Sequence, residues 1–249
     1  MNNIIASFKK SFIEAVKLAN KEIYTYLNTN LSFKDFQYTN TTGFGGDNSL
    51  NMDLTAENIF IKYLKEYANI YSEECGSLDF NKEYTVIIDP LDGSNNFCSN
   101  LPYYGTSVAL QFNGITIAGF VTNLVTGILT YRAFDSEVIY VSLIDLKEIK
   151  PLFFSKSKIS IFERAYQFPE ICNKLSLNSI KFRSLGAVAL SLCDARNYDF
   201  VLFAGSIREF DIAASIYICK ELFIHKTDNF LLISKNKQKF EQIKEIIKQ

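Results

Sequence analysis

Ile4, Phe8, Phe12, Ala15, Val16, Ala19 and Ile23 recur at three- and four-residue intervals, so the chain opens with an amphipathic packing helix. A second helix is predicted over 53–67, with Leu54, Ile59, Phe60, Tyr63 and Leu64 on its buried side, Asp53 near its start and Glu57 as an exposed charge. Between them, 39–50 is rich in Thr, Asn and Gly and reads as a mobile loop. Its Gly43-Phe44-Gly45-Gly46-Asp47 lacks the Gly-Lys-Ser/Thr ending of a phosphate-binding P-loop. The period then shortens. Runs at 86–88, 107–112, 115–123, 127–131 and 138–143 are apolar or alternating and are separated by Asn-Gly and Thr-Gly turn signals. They predict a largely antiparallel sheet, with a tight hairpin at Gln111-Phe112-Asn113-Gly114-Ile115-Thr116.

From Lys150-Pro151 the pattern is mixed. Short strands are predicted at 153–154 and 160–163, and a helix at 168–175. The small residues of 184–193 allow a helix to pack closely against a sheet. A strand at 199–203, a helix at 211–220, a strand at 230–234 and an amphipathic helix at 239–247 complete the chain, with no internal repeat.

The 249 residues are 48% hydrophobic, enough for one sizeable core in one large domain or two closely packed halves. A net charge of −1 gives no global attraction to nucleic acid, and no basic stripe with interleaved aromatics is present. Cys75, Cys98, Cys172, Cys193 and Cys219 form no Cys-x-x-Cys pair, which argues against a disulfide framework or a zinc site and fits a reducing interior. No run approaches the ~20 apolar residues of a membrane span, and the N-terminus has no secretory pattern. A cytoplasmic protein with neither a membrane nor a nucleic-acid partner is expected.

The chemistry is concentrated in Asp89-Pro90-Leu91-Asp92-Gly93-Ser94-Asn95-Asn96-Phe97, which follows the β-branched run Thr85-Val86-Ile87-Ile88. A buried strand ending here delivers two carboxylates to a sheet edge, where a hard cation such as Mg²⁺ could bind. Pro90 would stop the strand without orphaning a donor, and Gly93 permits a positive φ. Ser94, Asn95 and Asn96 are all N-cap types, so a short helix would aim its amides at an anion held by the metal. The same residues read alone also suit a structural turn. Two further acidic segments accompany the motif, Tyr71-Ser72-Glu73-Glu74-Cys75-Gly76 and Glu209-Phe210-Asp211-Ile212-Ala213-Ala214.

In this order the three segments resemble the inositol monophosphatase and fructose-1,6-bisphosphatase superfamily of Mg²⁺-dependent, lithium-sensitive phosphatases. Its pattern is an acidic pair, then Asp-Pro-x-Asp-Gly-Thr/Ser-x-Asn-Phe, then Trp-Asp-x-Ala-Ala. Phe210 stands here for the tryptophan, and Ser94 where many relatives have threonine. The resemblance runs from about Gly45 to the end. It implies a layered α/β fold, α-β-α-β-α, inositol monophosphatase-like. Residues 1–148 would form an N-terminal α+β half carrying Glu73 and the Asp89 to Phe97 motif, and 149–249 a C-terminal α/β half carrying Asp211.

The resemblance also implies two or three Mg²⁺ ions. Glu73, Asp89 and the Leu91 carbonyl would hold the first, and Asp89, Asp92 and Asp211 the second. The catalytic set is then Glu73, Asp89 and Ser94, with the proton of the attacking water accepted through Ser94 and Glu73. Gly93, Ser94, Asp92, Arg208 and Asp211 would meet the substrate. Two alternatives stay open on the residues themselves: Asp211 as a plain N-cap, and Arg208 in a surface ion pair. Glu74 is expected beside the site or solvated. The one histidine, His225, is expected to be structural or exposed.

The implied substrate is a small-molecule phosphate ester of polyol or sugar type, inositol 1-phosphate or fructose 1,6-bisphosphate. Many inositol monophosphatases place a glutamate that contacts an inositol hydroxyl seven positions before the last metal-binding Asp. Ala204 stands there in this chain, against strict inositol specificity. Gly45-Gly46-Asp47-x-Ser49 with Asp53 and Glu57 is similar to the fructose-bisphosphatase side. The alternatives are a phosphatase for 3′-phosphoadenosine phosphate or NADP(H), and a non-catalytic metal-binding regulatory module. The resemblance implies a homodimer.

Overall fold

A computed structural model describes residues 2–151 and 158–248, with side chains from residue 6 onward. The strand predicted at 153–154 lies outside the described residues. The helices are α1 (Asn2–Thr29), α2 (Asn51–Leu64), α3 (Ser94–Cys98), α4 (Pro169–Leu177), α5 (Val188–Cys193), α6 (Glu209–Ile218) and α7 (Lys237–Lys248). Strands β1 (Tyr38–Thr42) and β2 (Asn48–Leu50) form an antiparallel pair. An eight-stranded sheet contains β3 (Asn69–Ser72), β4 (Gly76–Leu78), β5 (Tyr84–Asp92), β6 (Gly105–Phe112), β7 (Ile115–Asn123), β8 (Ile128–Ala133), β9 (Ile139–Ser142) and β10 (Glu148–Ile149), in the order β10-β9-β8-β7-β6-β5-β3-β4. A five-stranded sheet contains β11 (Ser160–Glu163), β12 (Phe182–Arg183), β13 (Val201–Ala204), β14 (Phe223–Lys226) and β15 (Phe230–Ser234), in the order β12-β11-β13-β15-β14.

The two-residue period of the strands sorts the core into three layers. Val86 and Ile88 of β5 pack with Phe12, Val16, Ile59 and Phe60 of α1 and α2. Ile87, between them, faces the other way, toward Leu190 of α5 and Ile212 and Ala214 of α6. In β13, Val201 and Phe203 share that middle layer, while Leu202 and Ala204 pack against Ile171 of α4 and Phe240 of α7. The layers therefore run α-β-α-β-α, as the resemblance implies.

The opening periodicity is realised in α1, where Phe12, Val16, Ala19 and Ile23 are fully buried. The same face buries Asn20, whose side-chain oxygen accepts the Thr106 and Thr122 hydroxyls at 2.6 and 2.7 Å while its amide donates to the Val16 carbonyl at 2.9 Å. Every polar atom of that side chain but one N–H is thus satisfied inside the core. The predicted hairpin is present: Phe112 pairs with Ile115, and Asn113 and Gly114 both have positive φ, 50° and 76°. That is the left-handed pair a two-residue turn needs.

The differences are local. Within 184–193 only Val188–Cys193 is helical, because the N-cap Ala187 is extended. The half-buried β14, whose His225 pairs with Leu232, was not legible as a strand, and β1 and β2 lie in the stretch read as loop.

Candidate active site

The Asp89 motif does not end β5, as Pro90 had suggested. The strand continues to Asp92 through a bulge, since Asp89 pairs with Ser107 but Asp92 with Gly105. One extra residue on β5 reverses the alternation. In a regular strand, residues three apart point to opposite faces. Here Leu91 turns into the outer core, so Asp89 and Asp92 both face the middle layer. Pro90 is tolerated in the bulge because the ladder is already interrupted there. Gly93 follows with φ 87° as the N-cap of α3, in place of the Ser or Asn caps expected. A Cβ at Gly93 would lie 3.0 Å from Ala187 Cβ and 3.1 Å from the Tyr103 carbonyl.

Glu73 stands beside Asp89 because β3 runs parallel to β5, with Ser72 opposite Ile88, and the Glu73 N–H donates to the Ile88 carbonyl at 3.0 Å. The 43–47 segment is laid directly on this acidic pair. Phe44 N–H donates to the Glu74 carbonyl at 2.9 Å and Gly45 N–H to the Glu73 carbonyl at 2.7 Å. A Cβ at Gly45 would lie 2.6 Å from Glu73 Cγ, so the close approach requires glycine. The reading of a mobile loop gives way to a strap held by backbone hydrogen bonds. Phe44 meets Tyr71 and Phe210 edge-on at 5.6 and 6.5 Å, so the phenylalanine that replaces tryptophan remains an aromatic floor. Glu74 is half-buried and accepts the Ser49 hydroxyl. Glu57, expected to be exposed, is buried and accepts the Cys75 N–H at 3.0 Å.

Asp211 is the third residue of α6, whose N-cap position is Arg208, so the N-cap alternative does not hold. Carboxylate oxygens of Glu73, Asp89 and Asp211 lie within 4.8 Å of one another. Such a hard oxygen set suits a divalent cation. Asp92 faces the same cleft, held by the Leu190 N–H at 2.8 Å, and the Leu91 carbonyl accepts the Ser94 hydroxyl at 2.9 Å.

Two site residues have partners that the sequence did not suggest. Ser94 is bonded to Asp53 Oδ1 at 3.0 Å, and among the described residues it makes no direct bond to Glu73. Asp53 is itself fixed by the Leu50 N–H at 2.7 Å. Its i, i+4 spacing from Glu57 put both acids on one buried helix face, the signal that could have identified it. Arg208 lines the cleft and is bonded to its acidic residues. It forks onto both oxygens of Asp211 at 3.1 Å, and its Nη1 reaches Glu73 Oε1 at 2.5 Å and Asp47 Oδ2 at 3.1 Å.

Burial, then mutual repulsion, opposes the full ionisation of this cluster. Burial first, against the opposing pull of Arg208, pushes Glu73 up to about 7. Burial pushes Asp53 up to about 7, despite the Leu50 and Ser94 hydrogen bonds. Asp89 lies well above the usual carboxylate range through burial and then Glu73, and Asp92 through burial against the pull of the Leu190 N–H. The folded, metal-free protein therefore retains protons that the unfolded chain has released above about pH 4.5. The cluster's contribution to stability is greatest below that pH and is lost as pH rises through about 7. Urea unfolding in EDTA at pH 5 and pH 8 should give the lower midpoint at pH 8, and equal midpoints would contradict this charge balance.

The acidic cluster forms one end of a cleft of about 730 Å³. Arg164, Tyr166, Gln167 and Ser184 also line it, none of which the sequence singled out as a site residue. Ala204 is fully buried in β13 and packs toward α4 and α7, so the position matched to the inositol-contacting glutamate lies off the cleft. Glu209 pairs with Gln111 at 2.8 Å, also outside the cleft lining. Glu163 closes the wall from behind, accepting the Gly186 N–H at 2.9 Å and the Ser191 hydroxyl at 2.5 Å.

A layered α/β fold whose sheet edge, strap and central helix converge on a hard-oxygen cluster has known counterparts. Residues 9–222 match the inositol monophosphatase family. The chain is 32% identical over 206 residues to the fructose-1,6-bisphosphatase/inositol-1-monophosphatase of Methanocaldococcus jannaschii, covering 81% of this chain and 78% of that relative. It is 31% identical over 190 residues to the fructose-1,6-bisphosphatase of Pyrococcus furiosus, covering 71% and 68%. The crystal structure of an inositol monophosphatase–fructose 1,6-bisphosphatase superimposes with a TM-score of 0.75 at 25% identity, over 94% of this chain and 99% of that one. The chain belongs to the inositol monophosphatase family of phosphatases.

Proposed function

We propose that the protein is a Mg²⁺-dependent phosphomonoesterase for a small polyol or sugar phosphate, with inositol 1-phosphate and fructose 1,6-bisphosphate as the leading substrates. The observation that carries this reading is the convergence of Glu73, Asp89 and Asp211 within 4.8 Å, in one cleft with a serine hydroxyl bonded to a carboxylate. The donor set fits Mg²⁺: all its ligands are oxygens, and burial together with mutual repulsion raises the proton affinities of Glu73 and Asp89 despite the opposing charge of Arg208. Glu73, Asp89, Asp92, Asp211 and the Leu91 carbonyl would hold two or three ions. Bound there, the ions would neutralise the phosphoryl charge and make the attacking water more acidic.

The chain's own groups do the rest. Ser94 has one hydroxyl hydrogen and two acceptors in reach, Leu91 O and Asp53 Oδ1. When Asp53 is ionised, Ser94 passes its proton there and takes one from the water. The hydroxide attacks phosphorus, the ester P–O bond breaks, and the leaving alkoxide takes a proton from solvent in the cleft. The first-turn amides of α3 have no intrahelical acceptors and orient the phosphate oxygens.

Arg164 favours a substrate with a second anionic group. It holds φ 60°, a left-handed conformation uncommon for a residue with a side chain. Its guanidinium lies 4.9 Å over the Phe203 ring and 3.5 Å from the Ser206 carbonyl, and among the described residues it forms no ion pair. Arg164→Ala is expected to raise KM for fructose 1,6-bisphosphate about tenfold, the effect of one charge-assisted hydrogen bond, and to leave that for inositol 1-phosphate within about twofold. Equal effects on both would remove Arg164 from substrate choice.

The test of the function is phosphate release from inositol 1-phosphate, fructose 1,6-bisphosphate, 3′-phosphoadenosine 5′-phosphate and NADP, with Mg²⁺ and with chelator. Mg²⁺-dependent release from either of the first two is expected, and release from neither rejects the substrate class. The proposal includes a homodimer and a reducing cytoplasm, and the five unpaired cysteines bear on the second of these alone. Among the described residues no helix is long and apolar enough to cross a membrane.

A further inference from the structure

Arg208 is bonded to candidate ligands of the metal. Its fork engages both Asp211 oxygens at 3.1 Å and Glu73 at 2.5 Å, two of the three residues whose oxygens converge with Asp89. We infer that Arg208 is a resident stand-in for the metal, neutralising the carboxylates of the metal-free protein and leaving them when a divalent cation loads. The inference rests on the metal site of the proposed function, although not on turnover.

Three observations support it. The guanidinium and a dication would share the same oxygens at distances where like charges repel strongly in a partly buried site. The dication carries twice the charge, so the carboxylates favour it. Arg208 also has a way out. Its side chain is 25% exposed, and the same Nη1 already touches Asp47 Oδ2 at 3.1 Å, on a carboxylate that is 82% exposed at the rim. Asp47 lies at the end of the strap hydrogen-bonded to Glu73 and Glu74, so it can retain the guanidinium after the metal ligands release it.

Removing the Arg208 charge would tighten metal binding whether or not the side chain moves, so affinity alone does not test the inference. The decisive experiment labels wild-type protein with phenylglyoxal, which modifies accessible guanidinium groups, in chelator and in saturating Mg²⁺, and reads Arg208 by peptide mass spectrometry. Labelling of Arg208 should rise at least about fivefold with Mg²⁺, against constant labelling of Arg132, which is 5% exposed. Unchanged or reduced labelling of Arg208 overturns the inference. Arg208→Gln supplies an independent cycle. In chelator it should melt below the parent, and the difference should close in saturating Mg²⁺, since the loaded parent no longer uses Arg208. A difference that persists overturns the inference. A protein that exposes Arg208 on Mg²⁺ but hydrolyses no tested ester keeps this inference and loses the substrate reading, and a protein that binds no Mg²⁺ loses both.

Discussion

Asp89→Asn is expected to lower kcat for phosphate release by about 10³-fold or more while leaving the metal-free protein at least as stable as the parent. The two halves of that result come from one feature. Asp89 is 3% exposed and faces Glu73, Asp92 and Asp211, so its charge is unfavourable until a cation arrives. Asparagine keeps the shape and can still accept the Leu91 N–H, which Asp89 Oδ1 takes at 3.0 Å. The substitution removes like-charge repulsion from the empty site and a ligand from the loaded one. Phosphate release with Mg²⁺, paired with urea unfolding in EDTA, measures both. A variant as active as its parent would sink the mechanism, and one that is inactive because it is unfolded would remove the claim that the cluster is strained when empty.

The second large effect lies away from the cleft. Gly119 of β7 faces α6 so closely that a Cβ there would sit 2.4 Å from the Ala214 carbonyl oxygen and 2.9 Å from Ala214 Cα. Both neighbours are backbone and cannot rotate aside. Gly119→Ala must therefore push α6 off the sheet or bend the strand, at a cost of about 3 kcal/mol, the upper end of ordinary overpacking. Because Asp211 opens α6, a shift of about 1 Å there would also lower activity about 10²-fold, whatever the overall stability. The check is thermal unfolding together with kcat. Parent-like values for both would mean that the sheet absorbs the methyl group without moving α6.

What could be read in advance follows from how local each feature is. The Asn113-Gly114 hairpin, the buried face of α1 and the strands 115–123, 160–163 and 230–234 depend on neighbouring residues, and they occur where the pattern puts them. The Asp89 to Phe97 motif was legible for the same reason, because its carboxylates, glycine and serine are contiguous. Its bulge was not, since a register shift is a property of β5 and β6 together, set by Ser107 and Gly105. The Ser94–Asp53 pair joins residues 41 apart, and Arg208 reaches Glu73 across 135 positions. No periodicity encodes such contacts. The short strands beside Glu73, β3 and β4, are too brief to show a period, yet β3 is what aligns Glu73 with Asp89.

The position of α6 bears on the order in which the protein is made. This helix follows β13 of the second sheet in sequence, yet it packs on β5, β6 and β7 of the first. During synthesis all the strands of the eight-stranded sheet, which end at Ile149, are made before residues 209–218. Until those residues follow, Ile87, Ala109 and Val121 lack their α6 partners, and apolar surface left exposed on a nascent chain is a target for chaperones or for aggregation. The same delay withholds Asp211, so a polypeptide interrupted between residue 97 and α6 carries the recognisable motif but cannot assemble the carboxylate cluster.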